Sequence, residues 1–129
     1  MCIVLEEAHT IIPEWNFASE SSKNGQASMN AISQIALQGR KYNVGLLVIA
    51  QRTANVSKTV LTQCNSIISF TEYDKTSIDF LANYYGESIA SILPTLKFRQ
   101  AVAAGKAFSS TVPMIFEVPE IKDDYNNGE

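Results

Sequence analysis

No stretch of this sequence reads G-x-x-x-x-G-K-[ST], the loop whose backbone amides cradle phosphate at the start of a helix. The nearest imitation is AGKAF, around Gly105-Lys106. It has Gln100 where the first glycine should stand and Ala107 in place of a metal-binding hydroxyl. It also falls between two expected strands and is set aside. Cysteine is scarce: Cys2 and Cys64 lie in apolar surroundings without metal-ligand spacing. They read as buried thiols of a reducing compartment. There is no basic surplus, with 10 Lys+Arg against 13 Asp+Glu and a net charge of -3. That excludes a self-sufficient nucleic-acid binder, though not a local basic patch within an assembly. No apolar run approaches the roughly 18 residues that a membrane helix requires, and no signal peptide is recognisable. The expectation is a soluble, cytoplasmic protein that does not enter a membrane.

What is present suffices for one core. The chain has 129 residues, 46% of them hydrophobic, close to the usual size of a single domain. Ile3-Val4-Leu5 and Leu46 to Ala50, within GLLVIAQR, are apolar without alternation, as strands covered on both faces are. SIISF (residues 66–70) is a third strand. Between the first two, residues 10–26 turn polar around Pro13 and Asn24-Gly25 and read as a long loop. From Ser28 a helix places Met29, Ile32, Ile35, Ala36 and Gly39 on one face and ends at Asn43 and Gly45. Ser57 is a candidate cap for a short helix carrying Val60, Leu61 and Cys64 inward. Asp74 can cap another helix, with Ile78, Leu81, Ala82 and Tyr85 at helical spacing and Gly86 as its stop. Ile89, Ile92 and Leu93 add a turn before Pro94. RQAVAAGKAF and VPMIFEVPE read as an antiparallel pair. The final KDDYNNGE reads as a frayed polar tail. Alternating strands and helices with continuous apolar strands define an α/β protein, a parallel sheet flanked by helices.

The first strand runs straight into Glu6-Glu7, and the second into Gln51-Arg52. In open parallel sheets, ligands gather at the carboxyl ends of strands. Two carboxylates there can hold a hydrated magnesium ion or polarise an attacking water, and Gln51 can bond that water or a terminal phosphate. A lone acid pair at a strand end needs no function beyond solvation. An apolar strand ending in EEAH beside one ending in QR points to the chemical reading.

IVLEEAH, LQGRKYNVGLLVIAQR and VLTQCNSIISF, in that order, resemble the carboxyl-terminal half of a HerA-type ATPase, one of the RecA-like P-loop translocases that include FtsK and the conjugation ATPases. The resemblance covers residues 2–119. It implies that residues 1–119 are the later half of a RecA-like domain, from the Walker B strand onward, with 120–129 as a flexible tail. Glu6 and Glu7 would be the Walker B acids, with Glu7 polarising the water and Glu6 supporting Mg2+ through its hydration shell. Gln51 would be the polar sensor, with Arg52 beside it at the nucleotide. Arg40, in GRK, would be a finger reaching a neighbouring subunit's site, a role that can change rates by about three to five orders of magnitude. Read from its position alone, Arg40 is a cation at a helix carboxyl end, favourable by about 0.3–1 kcal/mol.

The complete parent would use ATP and Mg2+, assemble as a hexameric ring around double-stranded DNA, and work with a partner such as a nuclease. With the phosphate-binding loop lying upstream in the family, this chain alone is expected neither to bind ATP tightly nor to hydrolyse it. Two departures stand out. Relatives often carry Asp where this chain has Glu6, one methylene longer, and QRP where it has QRT. Two other readings stay open: a non-enzymatic module that docks onto a partner ATPase, and a piece of a conjugation-type ATPase. His9 is a link from the acids to a DNA-facing loop or a structural histidine; nothing beside it resembles a zinc site. Trp15 and Phe17 contact DNA or a neighbour, or fold back on the domain. Tyr84-Tyr85 is a helix end with one ring buried. Lys23, Lys58 and Lys97 are too scattered to trace a nucleic-acid path.

Overall fold

The computed structural model describes residues 1–11 and 23–121. Strand β1 (Cys2–Leu5) leads to a single helical turn, α1 (Ala8–Ile11). Helix α2 (Lys23–Gln38) runs into a 3-10 turn, Gly39–Tyr42, and then β2 (Gly45–Val48). A 3-10 turn at Thr53–Asn55 and α3 (Lys58–Leu61) connect β2 to β3 (Ser66–Ser69). Helices α4 (Lys75–Tyr85) and α5 (Glu87–Ala90) and a 3-10 turn at Leu93–Thr95 precede β4 (Gln100–Gly105) and β5 (Met114–Glu117).

Strands β1 and β2 pair in parallel, Ile3 opposite Leu46 and Leu5 opposite Val48. The third strand departs from the expected single parallel sheet. It pairs antiparallel with β4, which pairs antiparallel with β5, so that the described strands form one two-stranded and one three-stranded sheet. The expected antiparallel pair of RQAVAAGKAF and VPMIFEVPE is β4 and β5. At the end of β4, Gly105 has φ +119°, and a Cβ there would run into the Asn65 carbonyl and the Ser66 backbone. Gly105-Lys106 is therefore a tight strand exit, with Lys106 N–H donating to the Asn65 carbonyl at 3.1 Å.

Two cores meet under one helix layer. Leu5, Ala8, Val56, Val60 and Leu61 form the first, with Ile32, Ala36, Leu46 and Val48 packed on it. Leu81, Tyr85, Ala90, Leu93 and Val102 form the second. Phe80 of α4 packs against both. Helix α4 is built as its sequence dictates: the Asp74 side chain accepts from Ser77 N–H at 2.9 Å, and Gly86 closes it at φ +82°. Its last turn is tied down by Tyr85, whose hydroxyl shares a 2.9 Å hydrogen bond with Ser69 Oγ and donates to the Val102 carbonyl at 3.2 Å. Burial raises the Tyr85 pKa to about 12, partly offset by the Ser69 contact. Tyr84 donates to the Leu61 carbonyl at 2.8 Å, which joins α4 to α3.

Several expectations need correction. The stretch expected as loop over 10–26 is helical at both described ends, and α2 begins at Lys23, not Ser28. The cost of about 1 kcal/mol for glycine inside a helix does not stop α2 from running through Gly25. Trp15 and Phe17 lie outside the described residues. Ser57 precedes α3 without a side-chain capping bond; its carbonyl accepts from the Val60 and Leu61 amides instead. Cys2 is exposed, whereas Cys64 is half-buried with its thiol pKa pushed up by that burial. Strands β1, β2 and β3 are covered on one face only: Val4, Leu47, Ile49, Ile68 and Phe70 remain between 45% and 54% exposed, whereas Ala101, Val102 and Ala103 of β4 are buried on both faces. A continuous apolar run signals that both faces suit burial, and the described residues supply a layer to one of them.

Candidate functional site

The site lies where β1 and β2 end. Pairing continues past the last strand residues: Ile49 N–H donates to the Leu5 carbonyl at 2.8 Å, and Ala8 N–H donates to the Ile49 carbonyl at 3.0 Å. These two bonds clamp the turn at Glu6-Glu7 against Ile49. Glu7 adopts φ +47°, a left-handed conformation that costs a β-carbon-bearing residue of order 1 kcal/mol or more. It is held there from the next turn. Both the amide and the hydroxyl of Thr10 donate to the Glu7 carbonyl, each at 2.9 Å.

The result is an open cleft of about 440 Å³ lined by Glu6, Glu7, Thr10, Ile49, Ala50 and Gln51. Both glutamates and Gln51 are exposed to solvent. Three of the residues singled out in the sequence thus share one cleft. The others do not. Arg52 starts the 3-10 turn at Thr53–Asn55, outside the lining, and His9 sits in α1 without lining the cleft either. Arg40 is exposed in the turn that enters β2, at the opposite end of the strand from Gln51. Four strand residues at about 3.3 Å each put roughly 13 Å between those ends. Within this chain Arg40 therefore does not meet the acids. Thr10 was not anticipated from the sequence, although a hydroxyl three residues after a carbonyl is a recurrent local bonding pattern.

Among the described residues, no group of three His, Cys, Asp or Glu side chains could cage a metal. Two carboxylates and one amide in an open cleft do fit a magnesium ion that keeps most of its water shell and takes other ligands from phosphate. None of the described residues lining the cleft is glycine.

No family model matches the chain. Over 126 residues it is 30% identical to the "Probable DNA double-strand break repair helicase HerA" of Methanocaldococcus jannaschii, a match covering 95% of this chain and 23% of that protein. It is 30% identical over 108 residues to a second M. jannaschii protein, a "Probable helicase", covering 81% and 19%. The HerA helicase of Pyrococcus furiosus is 24% identical over 131 residues, covering 98% and 22%. Among solved structures, the genome packaging NTPase B204 of Sulfolobus turreted icosahedral virus 2, in complex with ATP-gammaS, superimposes with a TM-score of 0.67 at 17% identity. That match covers 93% of this chain and 52% of B204.

The architecture is, in part, the RecA-like α/β fold. The chain spans about a fifth of the length of the curated relatives it matches and about half of the packaging NTPase. Within that class it is HerA-like.

Proposed function

We propose that this chain carries the hydrolytic acids of a HerA-type, ATP-dependent DNA translocase. The observation that supports this best is the convergence of Glu6, Glu7 and Gln51 on one cleft at the carboxyl ends of two parallel strands. Glu7 takes a proton from the attacking water. Its carboxylate is aimed by a backbone that the two Thr10 bonds hold in place. Glu6 would support magnesium through its water shell, and Gln51 would orient the water or the terminal phosphate, with Arg52 close behind on the same connection. When bound with ATP, magnesium neutralises charge on the phosphates. The phosphate-binding loop comes from elsewhere in the complete polypeptide, and this chain alone neither holds ATP tightly nor hydrolyses it. Arg40, remote from its own acids, serves the cleft of a neighbouring subunit in a ring, six subunits in the family's pattern, around double-stranded DNA in the cytoplasm. A nuclease is the kind of partner that such a ring would serve.

The test is turnover in the complete polypeptide. Glu7→Gln abolishes ATP hydrolysis while sparing ATP binding; a variant that still hydrolyses overturns the assignment. Arg40→Ala also loses turnover and regains part of it in mixed rings with Glu7→Gln subunits, because each variant supplies what the other lacks. Mixed rings that stay inactive count against action in trans.

A further inference from the structure

The turn that carries Glu7 also fixes what one further cleft residue can do. Thr10 is exposed and lines the cleft beside Glu6, Glu7 and Gln51. A threonine hydroxyl has one proton to donate and two lone pairs with which to accept. At Thr10 the proton is committed, because Oγ1 donates it to the Glu7 carbonyl at 2.9 Å, the same oxygen that takes the Thr10 amide. What Oγ1 has left is acceptor capacity. Such an oxygen repels the oxygens of an ionised phosphate, which only accept, and suits a molecule that donates.

The hydrolytic reaction calls for that capacity. The attacking water carries two O–H bonds. One proton passes to the Glu7 carboxylate while the water oxygen bonds to the terminal phosphorus. The bond from that phosphorus to its bridging oxygen breaks, and ADP leaves with the electron pair. The second O–H stays with the attacking oxygen and needs an acceptor to fix the water's orientation. Among the lining side chains only Gln51 carries N–H donors, and these match the oxygens of the terminal phosphate. Glu6 is an acceptor too, but the translocase reading above assigns it to the water shell of magnesium. We propose that Thr10 Oγ1 accepts the second O–H of the attacking water, which leaves the Gln51 amide to the phosphate. The proposal rests on that same reading and separates the two tasks open to Gln51 there. Thr10 then acts twice within one helical turn. Its proton sets the backbone of the general base, and its lone pair holds the water that the base deprotonates.

The test uses the complete polypeptide. Its crystal structure with magnesium, ADP and beryllofluoride, an inert mimic of bound ATP, should show a water in line with the beryllium. That water should lie within about 3.2 Å of both the Glu7 carboxylate and Thr10 Oγ1. Thr10→Val keeps the shape of the side chain and loses the oxygen. Its kcat should fall about tenfold, with the Kd for ATP unchanged and Thr10→Ser restoring turnover. Because the valine also loosens the Glu7 backbone, the kinetic loss alone does not separate the two roles, and the position of the water decides. An in-line water that touches Glu7 and Gln51 but not Thr10 overturns the proposal. So does a Thr10-bound water that belongs to the magnesium shell, or a valine variant with wild-type kcat. The two readings fail distinguishably. An inert Glu7→Gln beside a fully active Thr10→Val removes the water acceptor and keeps the hydrolytic acid. Hydrolysis by Glu7→Gln removes the acid and, with it, the role of Thr10.

Discussion

Tyr85→Phe tests the tie between the helix layer and the antiparallel sheet. Tyr85 is 5% exposed, and its hydroxyl is the one group of α4 that bonds both β3, through Ser69, and β4, through Val102. Deleting the oxygen removes two hydrogen bonds and leaves the shape of the ring. A buried bond contributes about 0.5–1.5 kcal/mol net, and stranding its partner costs about 1–3 kcal/mol, so a loss of about 1–3 kcal/mol is expected near neutral pH. The Val102 carbonyl lies in a paired strand, which favours the lower part of that range.

The same residue adds a pH signature. Burial raises the folded-state pKa to about 12 from an ordinary value of 10.0. The folded state thus holds the phenolic proton more tightly than the unfolded chain does. This contribution is complete below pH 10 and is lost as pH rises through 12. At about 1.4 kcal/mol per unit of pKa difference, it amounts to about 2–3 kcal/mol. Urea unfolding of both proteins from pH 8 to 12 reads it out. The wild type should lose its advantage over Tyr85→Phe across that window, while effects common to both proteins cancel. Parallel curves would refute the buried-phenol argument, and a variant equal to wild type at pH 8 would refute the hydrogen-bond argument.

Other perturbations address the helix start and the cleft. Asp74→Ala removes the acceptor for Ser77 N–H and should cost about 1 kcal/mol, whereas Asp74→Asn should recover most of it; equal urea midpoints for the alanine variant and wild type would refute the cap. Thr10→Val deletes one of the two bonds that hold Glu7 at φ +47°, and Thr10→Ser keeps it. The three-bond amide coupling of Glu7 should move in the valine variant and not in the serine variant. A valine variant that retains the wild-type coupling would show that the hydroxyl does not position the acid.

Local signals in the sequence carried far. Asp74 and Gly86 bracket α4 because capping and left-handed termination depend on a few neighbouring residues, and both were readable directly. Glu6, Glu7 and Gln51 were readable because an apolar strand that stops on polar residues puts them at one end of a parallel pair. Thr10 escaped because its partner is a carbonyl released only when Glu7 turns left-handed, a conformation that the residue type does not announce.

The sequence by itself thus determined the α/β class, both ends of α4 and the placing of Glu6, Glu7 and Gln51 at the strand tips, all products of short-range patterning. Which sheet β3 joins, which face of the strands is covered, whether Cys2 is buried and how far Arg40 stands from the acids were decided only in three dimensions. Periodicity records that a side chain suits burial. It does not record whether another layer is present to bury it, and that depends on contacts between residues far apart in the chain.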